Sequence, residues 1–117
     1  MESPPLHRHG YDKTAEEEEN RELAERAASL KALGQLLDRA SAQYKTTMYL
    51  VSDEPYRNIV FDGHQVPPLM NTTTNAIIAS SYSKVLSLPG ERIGYLALHP
   101  EMEDKAGVVG ALALANR

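Results

Sequence analysis

Residues 76–98 have the sequence AIIASSYSKVLSLPGERIGYLAL, in which two apolar runs flank a polar, turn-forming segment. The first run, Ala76–Ala79, is short and continuous, which is typical of a buried β-strand. The second run, residues 92–98, also favours a strand, and Pro89 followed by Gly90 marks a turn before it. The segment therefore predicts a strand, a polar connection and a second strand.

The polar connection places one lysine among serine hydroxyls. Ser81, Ser83 and Lys84 follow the first strand directly, and Arg92 opens the second. Hydroxyl groups and a guanidinium suit a phosphate, because arginine offers a planar fork of donors to two phosphate oxygens. Taken alone, a serine-rich turn with a lysine is more often a solvated loop. If the turn is a site, it holds its lysine beside a phosphate-bearing molecule.

A second stretch, residues 48–56 with the sequence MYLVSDEPY, is an apolar strand that ends in an acid. We predict the strand at residues 48–52, with Asp53 at its end and Tyr56 three residues further on. Together the two stretches resemble the pyridoxal-phosphate-dependent aminotransferases of fold type I, class I/II, which include the aspartate and aromatic aminotransferases. The resemblance covers residues 30–100 approximately, and it depends on Asp53, Tyr56, Ser81, Ser83, Lys84, Gly90 and Arg92.

The resemblance implies a role for each of these side chains toward the cofactor pyridoxal 5′-phosphate. Lys84 would be the catalytic residue, since its amine forms a Schiff base with the cofactor. The Asp53 carboxylate would lie against the pyridinium nitrogen and keep it protonated. The Tyr56 hydroxyl would donate a hydrogen bond to the phenolic oxygen of the ring. The phosphate would be held by Ser81, Ser83 and Arg92.

The same resemblance constrains the directions of the strands. Ligands of open α/β sheets bind beyond the carboxyl ends of parallel strands. Asp53 ends one strand and Lys84 follows the next, so these two strands should run parallel. Arg92 begins its strand and must reach the same cofactor, so the third strand should be antiparallel to the second. We therefore expect an α/β fold, a fragment of the aminotransferase large domain with about three strands.

Helices are predicted on both sides of the strand region. Apolar residues recur at helical spacing through residues 14–44, and Gly34 interrupts them, so one long helix or two helices broken between Ala28 and Gly34 would both fit. This amphipathic segment could cover one face of the sheet. Residues 101–116 predict a C-terminal helix. We interpret residues 1–13 as a flexible lead-in and residues 14–117 as a partial cofactor-binding large domain.

Composition excludes several other functions. Twelve basic and sixteen acidic residues give a net charge of -4, which does not favour a nucleic acid or an anionic membrane as partner. The chain has no cysteine, so disulfides and thiol chemistry are absent, which fits a cytoplasmic location. No apolar run approaches membrane length. We interpret His7 and His9 as part of a solvated tail rather than a metal site, because no third ligand is near in sequence.

The resemblance implies transfer of an amino group between an amino acid and a 2-oxo acid, by an enzyme that is a homodimer in full-length members. At 117 residues, this chain is several times shorter than such enzymes. Upstream of residue 30 it also has a glutamate-rich segment where the family carries an Asn-Pro-x-x-Pro-Thr-Gly turn. We therefore expect an incomplete segment that is inactive alone.

Two alternatives remain at this stage. A lyase of the same fold, such as aminocyclopropane-carboxylate synthase, shares the Ser-x-Ser-Lys and Pro-Gly-x-Arg patterns. A non-catalytic remnant, or an oligomerising α/β fragment, would retain the motif by descent alone. Four further polar residues are interpreted as structural or solvated and are given no role: Glu54, Arg57, His64 and His99.

Overall fold

Helices and strands alternate along residues 13–116, the part of the chain that the computed structural model describes. The helices are α1 (Lys13–Tyr44), α2 (Tyr82–Val85) and α3 (Lys105–Ala115). The strands are β1 (Leu50–Asp53), β2 (Ala76–Ser81) and β3 (Gly94–Leu98), and a 3-10 turn lies at Leu69–Asn71. The predicted lead-in, and with it His7 and His9, lies outside the described residues except for Lys13, where α1 begins.

The three strands form one sheet in the order β1-β2-β3. β1 and β2 are parallel, with Leu50 opposite Ala76 and Asp53 opposite Ala79. β3 is antiparallel to β2, with Ser81 opposite Gly94. This confirms the predicted fold class and the predicted strand directions. The carboxyl ends of β1 and β2 and the start of β3 therefore lie at one end of the sheet.

The buried core lies at the opposite end of the same sheet. Among the described residues, the buried apolar side chains belong to Leu69, Ala76, Ile77 and Met102. Ala76 and Ile77 begin the central strand β2, where neighbours on both sides exclude water. Burial of apolar surface is the main favourable term in folding, so this end of the sheet contributes most to stability.

α1 is one continuous helix, which resolves the choice between one helix and two. The expectation that it covers a face of the sheet was wrong. Part of its apolar stripe faces solvent, as shown by the exposed side chains of Leu33 and Tyr44. α1 instead contacts the loop before β2 through Gly34, its one buried residue. A Cβ at Gly34 would overlap the carbonyl of Thr72, so the glycine permits this close approach.

Two hydrogen bonds hold α1 beside that contact. The hydroxyl of Thr73, which is buried, donates to Asp38 Oδ1 at 2.9 Å. The backbone N–H of Met48 donates to Ser41 Oγ at 2.9 Å. The carboxyl-terminal half of the helix is therefore attached to the strand region through polar contacts and one glycine.

The element boundaries differ from prediction at several places. β1 spans Leu50–Asp53 rather than residues 48–52, and α3 spans Lys105–Ala115 rather than residues 101–116. β2 continues two residues beyond Ala79 to Ser81, and β3 begins at Gly94 rather than at Arg92. Arg92 lies in a turn and has a φ angle of 54°, in the left-handed region. A residue in that conformation cannot continue a strand, so the strand starts two residues later.

Neither α1 nor any other helix of residues 13–116 is long and apolar enough to cross a membrane. No group of three or more metal-ligating side chains occurs within the same residues.

Candidate active site

Asp53 lies at the carboxyl end of β1, at one end of the sheet. Asp53 is the last residue of the strand and pairs with Ala79 on β2. The backbone N–H of Glu54 then donates to the carbonyl of Ala79 at 2.7 Å, which extends the pairing one residue further. Pro55 follows and has no N–H, so the chain leaves the sheet there. Asp53 therefore stands on a fixed backbone with an exposed side chain.

Ser81 is the last residue of β2, and Ser83 and Lys84 follow it in α2. The extended backbone of the strand ends at Ser81, and the next four residues form the single turn α2. The N–H of Tyr82 donates to the carbonyl of Ile93 at 3.2 Å, so β3 still anchors the chain at the start of this turn. The sequence predicted these residues at the end of a strand but did not predict the helical turn.

The connection from α2 to β3 has a strained geometry. Ser87 and Arg92 both have positive φ angles, 52° and 54°, whereas Gly90 does not. A left-handed conformation at a non-glycine residue costs about 1 kcal/mol. Gly94 allows β3 to approach β2 closely, because a Cβ there would lie 2.6 Å from the carbonyl oxygen of Ser80. The turn thus brings the Arg92 side chain back toward Lys84.

These elements enclose an open cleft of about 480 Å³, which we call the strand-end cleft. Its volume lies in the range of small-molecule sites, roughly 300–1,000 Å³. It is lined by Asp53, Pro55, Ser81, Ser83, Lys84, Pro89, Arg92, Ile93 and Gly94. Five of the six side chains that the sequence predicted as site residues therefore meet in one cavity.

Tyr56, the sixth, lies beside the cleft. Lys84 Nζ is 5.7 Å from the centroid of the Tyr56 ring, which is within the range of a cation–π contact. The ring is otherwise largely exposed. The structure therefore brings Tyr56 and Lys84 together although they are far apart in sequence.

The charges of the strand-end cleft favour an anion. It contains the two cations Lys84 and Arg92 and the single carboxylate of Asp53. Within residues 13–116, neither cation forms an ion pair, because the described ion pairs involve other arginines. The hydroxyls of Ser81 and Ser83 add neutral donors. The guanidinium, ammonium and hydroxyl donors can bind a phosphate, and the Asp53 carboxylate can accept a hydrogen bond from a protonated ring nitrogen.

Glu54 and Arg57, which were given no role from sequence, directly follow Asp53 and Tyr56. Their side chains form an ion pair at 2.8 Å and are only 11% and 29% exposed. The sequence signal was an acid and a base three residues apart directly after a strand. That spacing is more often found on a solvated face, where ion pairs contribute little. Only its burial distinguishes the Glu54–Arg57 pair from such an exposed ion pair.

Comparison with known proteins gives a consistent result. The family model described as aminotransferase class I and II matches residues 26–114. A probable aspartate aminotransferase of Methanocaldococcus jannaschii is 34% identical over 62 residues, which cover 53% of this chain and 16% of that protein. A histidinol-phosphate aminotransferase of Syntrophus aciditrophicus is 37% identical over 76 residues, which cover 65% and 19%.

A solved structure shows the same fold. The crystal structure of an amino transferase from Eubacterium rectale matches with a TM-score of 0.72 and 42% sequence identity. The match covers 77% of this chain and 23% of that protein. The chain thus spans less than a fifth of the length of the two curated relatives above.

Proposed function

The chain belongs to the class I and II aminotransferases, and on that premise we propose that its strand-end cleft binds pyridoxal 5′-phosphate. The chain would act as the cofactor-binding segment of a transaminase, which moves an amino group between an amino acid and a 2-oxo acid. The observation that supports this most strongly is the meeting of Lys84, Arg92, Asp53 and two serine hydroxyls in one cavity.

The residues present fit the cofactor. Its phosphate is a dianion, which the Arg92 guanidinium and the hydroxyls of Ser81 and Ser83 can bind with several donors. Its pyridine nitrogen requires an acid, which Asp53 supplies at the end of the neighbouring strand. Its aldehyde requires a primary amine, which Lys84 supplies in the same cleft. Each functional group of the cofactor thus has a chemical partner in the strand-end cleft.

The bound cofactor would supply an electron sink for the electrons released at the α-carbon of the substrate. Lys84 Nζ would be the amine that holds the aldehyde end of the cofactor. It would later carry a proton to or from the substrate. The Asp53 carboxylate would keep the ring nitrogen protonated. The Tyr56 hydroxyl would donate a hydrogen bond to the ring oxygen.

We further propose that this chain alone binds the cofactor weakly and does not turn over. The strand-end cleft is open and Lys84 is exposed, whereas efficient group transfer requires a site that excludes water. The relatives named above act on different compounds, aspartate and histidinol phosphate, so the likeness does not select an amino acid. A homodimer remains our proposal for a full-length protein that carries this segment.

Reductive labelling tests the proposal. Pyridoxal 5′-phosphate is added to the purified chain, borohydride fixes any covalent adduct, and mass spectrometry of peptides locates it. We expect the adduct at Lys84, with far less at the other lysines. Before borohydride is added, Lys84→Ala should abolish the visible absorption band of the unreduced adduct. Lys31→Ala, on the exposed surface of α1, should leave that band unchanged.

An even distribution of label over all lysines would contradict the site assignment. It would favour the alternative of a non-catalytic α/β fragment. An assay with glutamate or aspartate and a 2-oxo acid tests the second part, since robust turnover would show that the chain is sufficient alone.

A further inference from the structure

Glu54 and Arg57 form an ion pair unlike the others in the described part of the chain. Arg57 Nη1 donates to Glu54 Oε2 at 2.8 Å, and the two side chains are 29% and 11% exposed. The pair of the same type on α1, Arg26 with Glu22, has a distance of 3.0 Å but side chains that are 55% and 46% exposed. A partly buried pair is screened less by water and salt, so it holds its geometry more strongly.

Glu54 is attached to both neighbouring strands. Its second carboxylate oxygen accepts a hydrogen bond from Ser52 Oγ on β1 at 3.0 Å. Its backbone carbonyl accepts one from Ser80 Oγ on β2 at 3.0 Å. Its N–H donates to Ala79, as described above. The Glu54 carboxylate is therefore a fixed point at the end of the sheet.

Arg57 connects the Glu54 carboxylate to the residues that end the following loop. Its Nη2 donates to the carbonyl oxygens of Val66 and Pro67, each at 3.1 Å. Of these two residues Pro67 is buried and Val66 is exposed. One guanidinium thus closes residues 58–65 into a loop, using the forked donor geometry that lysine lacks.

Asp53 and Tyr56 lie in the chain beside these anchored residues. Asp53 directly precedes Glu54, and Tyr56 directly precedes Arg57. The Tyr56 side chain is 57% exposed, so packing does not fix its position. The backbone between the two anchors has few ways to move while both ends of the ion pair are held. We therefore expect the position of the Tyr56 ring beneath Lys84 Nζ to depend on this ion pair.

We infer that the Glu54–Arg57 ion pair is a positioning device that orients Asp53 and Tyr56 toward the cofactor. Neither Glu54 nor Arg57 lines the strand-end cleft, so both act through their neighbours. The inference rests on the proposed function, because it assumes that Asp53 and Tyr56 face the pyridine ring. Groups that orient ligand-binding residues from behind commonly affect binding almost as strongly as the binding residues themselves.

Two variants and two matched controls test the inference. Glu54→Gln removes the charge and keeps the size, and Arg57→Lys keeps the charge and removes the fork. Glu22→Gln and Arg26→Lys make the same changes in the exposed pair on α1. The full chain is titrated with pyridoxal 5′-phosphate, and the dissociation constant and the absorption maximum of the bound cofactor are recorded.

We expect Glu54→Gln and Arg57→Lys to weaken binding about fivefold. Both should also shift the absorption maximum, which reports the contacts at the ring nitrogen and ring oxygen. A role confined to stability would leave that maximum unchanged. In a Tyr56→Phe background, Glu54→Gln should have a smaller effect on binding, because the part of its effect that acts through the Tyr56 hydroxyl is already lost. The two α1 controls should match the unmodified chain.

Each outcome decides a different claim. If the unmodified chain does not bind the cofactor at Lys84, the proposed function fails and this inference fails with it. If it binds, and Glu54→Gln and Arg57→Lys have the spectrum and affinity of the controls, only the inference is overturned. Far-ultraviolet circular dichroism is compared for every variant. If Glu54→Gln does not fold, the result for Arg57→Lys decides alone.

Discussion

The two ends of β2 differ in what surrounds them. At its start, Ala76 and Ile77 are 0% and 7% exposed and pack in the core. At its end, Ser81 opens into the strand-end cleft, where Lys84 and Arg92 form no ion pair within the described residues. One strand of six residues therefore joins the most stable part of the sheet to its most polar part. Packing at one end allows the other to keep exposed, strained and charged groups.

The largest effect should come from damage to the buried end. We expect Ile77→Ala to lower the free energy of unfolding by about 3 kcal/mol, because it leaves a cavity under the central strand. Urea unfolding measures the loss. Val51, its neighbour in register on β1, is 58% exposed, so Val51→Ala should cost less than about 1 kcal/mol. Equal losses in both variants would mean that the core is not at this end of the sheet.

Substitution of two helical glycines should change the free energy of unfolding by a smaller amount and in opposite directions. Gly34→Ala should lower the free energy of unfolding by about 1 kcal/mol, since overlap with Thr72 outweighs the gain in helix propensity. At Gly110 in α3, no atom lies within 4 Å of the point that a Cβ would occupy. Gly110→Ala should therefore raise the free energy of unfolding by about 1 kcal/mol. Thermal unfolding of both variants checks the signs. If both substitutions stabilised the chain, the result would contradict the close contact between Gly34 of α1 and Thr72 in the loop.

At the polar end, Arg92→Lys separates the phosphate contact from the strained backbone. Both residues bear the same cost of a positive φ angle, so stability should not change. Affinity for pyridoxal 5′-phosphate should fall about fivefold, because lysine cannot offer two parallel donors. Affinity for pyridoxal, which has no phosphate, should stay the same. A similar loss for both compounds would assign Arg92 to some other contact.

The smallest effect is expected far from both ends of β2. Arg26→Met breaks the exposed ion pair with Glu22, and we expect a change in the free energy of unfolding of less than about 0.5 kcal/mol. Urea unfolding at low and high salt measures it. A change as large as that of Ile77→Ala would show that α1 contributes to the core.

The order of residue types along the chain, together with its resemblance to the aminotransferases, was sufficient to predict much of this structure. Short apolar runs predicted β1 and β2, and an acid after one and a lysine after the other predicted parallel neighbours. The position of Arg92 predicted the reversal of β3. These inferences succeeded because ligands of such sheets bind at one edge, which relates strand direction to the positions of polar residues. The roles of the site residues toward a cofactor stay predictions.

Other features depend on contacts between distant parts of the chain, and no local pattern encodes such contacts. Gly34 looked like a weak point in a helix, yet it is buried because Thr72 lies against it. The apolar stripe of α1 predicted burial, but a hydrophobic period shows only which face could pack. Glu54 and Arg57 were given no role from sequence, yet the structure pairs them and places the carbonyls of residues 66 and 67 within hydrogen-bond distance of Arg57. Sequence alone determined the strands, their directions and the residues at one edge. Tertiary structure decided which surfaces are buried, because burial depends on what the rest of the chain places beside them.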